Sequence, residues 1–112
     1  MEFLIERGDI IICALSGDYG KPRPAVVIQS DLFNLTHASI TICPITSHLI
    51  DAALFRLSLL PNKLTGLTSA SQIMIDKMIS IKSEKITKKI GKLSFDEIFK
   101  LDEALKLWLS LK

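Results

Sequence analysis

The chain has 112 residues and a mass of 12.5 kDa, which suits one compact core and excludes a two-domain enzyme. Hydrophobic residues make up 48% and charged residues 23%, enough apolar material to exclude an intrinsically disordered chain. A net charge of +2 and an isoelectric point near 8.6 are too mild to mark a nucleic-acid protein by themselves.

Short β-rich runs separated by turn residues dominate the first eighty positions. After Arg7 and Gly8, the run Asp9 to Leu15 reads as a first strand, and Gly17-Asp18-Tyr19-Gly20-Lys21-Pro22 as a turn-forming loop. Pro24 to Gln29 (PAVVIQ) is a second strand, its continuous apolar run predicting burial on both faces, with Pro24 tolerated at its start. Ser30 to Asn34 has the residues of a capped helical turn. Ser39 to Ile45, Leu54 to Leu59 and Ser71 to Met78 read as third, fourth and fifth strands, and Ile79 to Lys82 can add a sixth. Closely spaced strands of this kind predict a small barrel or sandwich. From Ser94 the period changes to that of a helix. Ser94 stands three residues before Glu97, a capping-box pattern, and Ile98, Leu101, Leu105 and Trp108 follow at helical spacing, which puts Trp108 in the core. Phe95, Phe99, Leu109 and Leu111 widen the apolar surface beyond one stripe, so this helix is expected to meet a second partner, most simply its own copy across a two-fold axis.

Charge is unevenly spread. Residues 1 to 76 carry five basic and seven acidic side chains, whereas residues 77 to 112 carry nine lysines against five acids. Six of those lysines, from Lys77 to Lys92, are opposed only by Glu84. Such a stretch is either a solvated face or a docking surface for an anionic polymer or acidic peptide. Cys13 and Cys43 sit inside apolar segments with no metal-ligand spacing to another Cys or His, and behave as small hydrophobes. Glu2 and Glu6 interrupt the only apolar start, so no secretory leader is expected, and no run approaches the roughly 18 apolar residues of a membrane span. The expectation is a reduced, cytoplasmic protein that binds neither membrane nor metal and needs no cofactor.

No phosphate-binding glycine loop, metal-spaced His and carboxylate set or nucleophile elbow is present. Four polar residues at strand ends remain. Arg23 lies between two prolines in KPRPAVV, where a stiff backbone would aim a guanidinium suited to a phosphate; the alternative is a surface ion pair. Thr46 ends a strand in CPITSH, with Ser47 and His48 beside it, and can equally be a strand former or cap. Asp76 breaks the apolar run SQIMIDKM next to Lys77, either satisfied locally or kept for acid/base work. Arg56 in LFRL is an outward strand position or a second phosphate contact, and Tyr19 is a loop aromatic able to stack on an unpaired base.

The segments ERGDI (Glu6 to Ile10), RPAVVIQSD (Arg23 to Asp31), CPITS (Cys43 to Ser47) and SQIMIDK (Ser71 to Lys77), in that order, resemble the MazF/PemK family of toxin endoribonucleases from toxin-antitoxin systems; the final helix resembles that family's C-terminal helix. The resemblance covers the whole chain and implies a single toxin domain over residues 1–112, mainly β with a C-terminal helix. An SH3-like barrel would occupy about 1–93 and the helix about 94–111. It also implies a homodimer that cuts single-stranded mRNA without a metal and leaves a 2′,3′-cyclic phosphate. Its cognate partner would be an antitoxin with a flexible acidic tail. Arg23 matches the arginine of the family's R-P motif, Thr46 the threonine of P-x-T-S, and Asp76 an acidic residue used as a base in some members. Because RNA supplies its own 2′-hydroxyl nucleophile, the protein needs only a base, an acid and a cation over the phosphorane. On this basis Arg23, Thr46, Asp76 and His48 are the expected catalytic residues, and Tyr19, Lys21, Ser47, Arg56 and Lys77 the expected RNA contacts.

Two departures stand out. The loop before Arg23 is DYGKPRP instead of the family's longer G-H-E-Q type, suggesting a subgroup, and Met74 and Ile79 stand where family arginines are found. His48 or Lys77 would replace them, His48 being the more natural proton donor near neutral pH. The competing readings are a gyrase poison of the CcdB type, which shares the fold and acts through its C-terminal end, and a degenerate toxin that binds only its antitoxin.

Overall fold

The computed structural model describes residues 4–15, 17 and 19–112; Glu2 of the N-terminal segment and Asp18 of the turn loop lie outside them. In chain order the elements are β1 (Asp9–Ala14), β2 (Pro22–Val27), a short helix α1 (Asp31–Asn34), β3 (Ser39–Thr46), β4 (Arg56–Leu59), β5 (Ser71–Met74), β6 (Ile79–Lys82), β7 (Ile86–Lys92) and α2 (Phe95–Leu109). No helix among the described residues is long and apolar enough to cross a membrane.

The strands pair antiparallel in the order β4-β5-β3-β2-β1-β7, with β6 also on β3. The path is open, since among the described residues no ladder joins β4 to β7. Alternate residues of β1, β2 and β3 enter two separate cores: Ile10, Val26, Cys43 and Ile45 pack under α2, while Ile11, Ala25, Val27, Ile40 and Ile42 pack with Ile81 and Ile86 on the other face. This two-sided burial is why PAVVIQ reads as an unbroken apolar run.

β3 is the central strand, and its outer neighbour is a single stretch broken in the middle. Ile45 pairs with Ile73 in β5, and Ile42 with Ile79 in β6. Between these pairs, two residues on β3, Cys43 and Pro44, therefore face five on the partner, Met74 to Met78. The three surplus residues are the 3-10 turn Ile75–Lys77, an outsized bulge that leaves the register sound on both sides. The expected fifth strand thus ends at Met74, and Asp76 sits in this turn, not in a strand. Two smaller shifts have plain causes: β2 begins at Pro22, on the side of β1 where its missing N–H is tolerated, and β4 begins only at Arg56 because Phe55 and Arg56 donate their N–H groups back to Ala52. The lysine-rich stretch, read only as a charge cluster, supplies β7, with Ile86 buried and Ile90 half-buried against β1.

α2 starts on the expected capping box: Ser94 Oγ accepts from the Glu97 N–H at 3.2 Å and Glu97 Oε1 accepts from the Ser94 N–H at 2.8 Å. It ends with Ser110 in the left-handed region and the Leu111 N–H bonded to the Lys106 carbonyl, a Schellman closure. Leu101 and Leu105 are buried, but Trp108 is 48% exposed, its ring tilted at 54° to that of Phe55 with 6.1 Å between ring centres. The expected core position of Trp108 is therefore corrected: near the end of the helix the stripe has run past the sheet.

Candidate functional site

The antiparallel register that pairs Ala25 with Pro44 leads, two residues further along each strand, to Arg23 and Thr46. Both residues line two adjoining clefts. The first, about 240 Å³, also takes in Ser47, Thr68, Ser69 and Ser71; the second, about 330 Å³, takes in Leu15, Met74 and Lys77. Arg23 and Thr46 thus form the saddle between a hydroxyl-rich wall and a cationic one. A guanidinium, an ammonium and several hydroxyls on an open surface are chemically suited to a phosphodiester.

The bulge explains how Lys77 reaches this surface. An even strand would send Lys77 to the core face with Ile73 and Ile75, but the 3-10 turn swings it into the second cleft beside Met74. Asp76 goes the other way. Its Oδ1 is buried and has no hydrogen-bond partner, and it lies within electrostatic reach of Cys43 in the core under α2. Asp76 lines neither cleft. Burial pushes the Cys43 thiol up to about 12, with Arg7 opposing and the Asp76 carboxylate adding to the rise, so Cys43 carries no thiolate at neutral pH.

His48 is exposed and its ring is not part of either lining; its backbone N–H donates to Thr46 Oγ1 at 3.0 Å. Arg56 is turned inward, donating from Nη1 to Gln72 Oε1 at 3.0 Å and to the His48 carbonyl at 3.4 Å. Lys21 is exposed and lines neither cleft. Tyr19, 99% exposed with φ +54°, borders a separate cavity of about 670 Å³ with Ile79, Lys82 and Lys85; Leu15 belongs to both this cavity and the second cleft.

The lysine-rich stretch is therefore divided. Lys77 faces the Arg23–Thr46 saddle and Lys82 and Lys85 face the neighbouring cavity, whereas Lys89 bonds the buried Asp9 carboxylate at 3.2 Å and with Lys92 borders a different pocket beside Phe95. Sequence reasoning missed the segment Gly66 to Ser71, which walls the first cleft. Its only signal is the run GLTSAS, small and hydroxylated residues after a glycine. Among the described residues, no three His, Cys, Asp or Glu side chains converge as metal ligands.

A model of the PemK-like, MazF-like toxins of type II toxin-antitoxin systems matches residues 6–109. The chain belongs to this family. In this PemK/MazF-type toxin the quoted family segments fall on the site: RPAVV is β2, CPITS the end of β3, and SQIMIDK β5 with its bulge. The probable endoribonuclease MazF of Mycolicibacterium smegmatis is 39% identical over 108 residues, covering 96% of this chain and 98% of that protein. Endoribonuclease EndoA of Bacillus subtilis is 30% identical over 112 residues, covering 96% and 97%. Among solved structures, an endoribonuclease in complex with its cognate antitoxin from a mycobacterial species has the same fold, with a TM-score of 0.81 at 17% identity over 96% of this chain and 97% of that one.

Proposed function

We propose that the protein is the endoribonuclease toxin of a type II toxin-antitoxin pair, one domain over residues 1–112, cutting single-stranded mRNA without a metal and so arresting translation and growth. The observation that carries this is the convergence of Arg23 and Thr46 on one saddle with Lys77 beside them. In the reaction the 2′-oxygen attacks phosphorus as its proton passes to a base. The bond to the 5′-oxygen then breaks as that oxygen gains a proton, leaving a 2′,3′-cyclic phosphate. Arg23 stabilises the phosphorane and Thr46 positions the scissile phosphate. Asp76 takes the 2′-hydroxyl proton by turning its unpartnered oxygen toward the cleft, and His48 returns a proton to the leaving oxygen. Lys77 and Ser47 hold the strand across the saddle, Lys21 meets its backbone at the rim, and Tyr19 stacks a base over the neighbouring cavity.

The open sheet with its crossing helix is read as the SH3-like toxin barrel. We infer a cytoplasmic homodimer, supported by the exposed apolar residues Phe95, Phe99 and Trp108 along α2. The antitoxin's acidic tail would compete with RNA for Arg23 and Lys77, because a peptide carboxylate and a phosphate make the same demands on them. Incubating the purified protein with a long single-stranded RNA in EDTA tests the proposal. Cleavage with cyclic-phosphate ends that disappears in a folded Arg23→Ala variant is expected. Intact RNA with wild-type protein, or an active Arg23→Ala protein, overturns it. Gyrase inhibition by the same preparation would instead support the poison.

A further inference from the structure

Thr46 is followed by a loop with no hydrophobic anchor. Leu49 and Ile50 both point outward, at 51% and 39% exposure, so packing does not hold Ser47 to Ile50 in place. Polar bonds do. Gln72, the partner of Thr46 across the β3–β5 ladder, is 7% exposed and grips both backbone groups of Ile50: its Oε1 accepts from the N–H at 3.1 Å and its Nε2 donates to the carbonyl at 2.9 Å. A side-chain amide can make this two-way clasp, whereas a carboxylate cannot donate. Arg56 braces it, donating from one nitrogen to Gln72 Oε1 and to the His48 carbonyl. Arg56 Nε is buried without a partner, a cost that the braced position must outweigh.

We propose that Gln72 and Arg56 are positioning residues of the cleavage site, holding the Ser47–Ile50 loop so that Thr46 presents its hydroxyl hydrogen to the phosphate. This rests on the reading of Thr46 as a phosphate contact. The link is the His48 N–H, which donates to Thr46 Oγ1 at 3.0 Å. A hydroxyl has one hydrogen and two acceptor sites. With an acceptor site filled from the loop, the hydroxyl rotates as a donor to an incoming anion; with the loop loose, that preference is lost. On this account the Arg56 charge serves the loop and not the RNA backbone.

The test is cleavage of a long single-stranded transcript under single-turnover conditions by wild type, Thr46→Ala, Gln72→Glu, Arg56→Ala and Arg56→Lys, each checked for folding by circular dichroism. Gln72→Glu keeps the acceptor and loses the donor; Arg56→Lys keeps the charge and loses the fixed fork. Both are expected to lower the rate at saturating RNA tenfold or more, with half-saturation and its salt dependence within about twofold of wild type, since small misplacements act on the reacting geometry. Full activity in Gln72→Glu overturns the proposal. So does recovery by Arg56→Lys of the rate lost in Arg56→Ala, or a loss confined to half-saturation with a weaker salt dependence, which would make Arg56 an RNA contact. An inactive wild type or an active Thr46→Ala protein would refute the underlying site instead.

Discussion

Gly66 and Gly20 share a φ of +75° but not their surroundings, so the same substitution at each separates backbone strain from crowding. A methyl group at Gly20 meets nothing within 4 Å. At Gly66 it would run into the carbonyl of Ile90, a backbone group in β7 whose neighbours Lys89 and Gly91 are both paired with β1. Left-handed backbone costs a non-glycine residue about 1–2 kcal/mol, offset by roughly 0.4–1 kcal/mol from the stiffer unfolded chain, a net of about 1 kcal/mol at either site. Forcing β7 aside adds about 1–3 kcal/mol, as for other overpacked positions. Gly66→Ala should therefore lose about 2–4 kcal/mol and Gly20→Ala about 1 kcal/mol, melting-point drops of roughly 8–16 °C and 4 °C for a domain of this size. Thermal and urea unfolding at one fixed protein concentration measure both. Because Gly66 also walls the first cleft, RNA cleavage should fall in Gly66→Ala even well below its melting point. Equal losses for the two variants would refute the close approach of the loop to β7.

The divided lysines predict opposite phenotypes. Lys77→Ala should weaken RNA binding, reduce its salt dependence by about 0.7 in log–log slope and leave the melting point alone. Lys89→Ala should cost about 2 kcal/mol by stripping the buried Asp9 of its cation while leaving cleavage kinetics intact. Cys43 should resist thiol reagents at pH 8 in the folded protein and react once urea unfolds it. The thiol is raised from 9.0 to about 12 in the folded state, so its contribution holds below pH 9 and is lost as pH climbs through 9 toward 12. Wild type should accordingly lose urea resistance relative to Cys43→Ala across that window. Ser94→Ala removes an accepted bond at the start of α2 and should lower stability by about 1 kcal/mol in urea titrations.

Elements were legible where a local signal and burial agreed. PAVVIQ, the Ser30-capped turn and the Ser94–Glu97 box each declare themselves within a few residues. The same holds for the pairing of Arg23 with Thr46, two strand-end residues whose chemistry shows in the sequence. β7 was not legible: only Ile86 is buried and Ile90 half-buried, and three lysines mask the alternation. The bulge was also invisible, because SQIMIDKM keeps an apolar rhythm through Ile75 although the chain turns there to change partners along β3. The roles of Lys89 and Arg56 depend on Asp9 and Gln72, residues distant in sequence that only the folded registers bring near.

The three surplus residues between β5 and β6 have an evolutionary consequence. Since the ladders on either side are set independently against β3, the outward position Lys77 can be exchanged without disturbing either register, whereas Ile75 in the same turn is fixed by its place in the core. Cation placement over the cleft can thus drift between relatives while the core stays fixed. Related toxins of the same architecture can in this way diverge in the charge they present over the cleft through a segment of three residues.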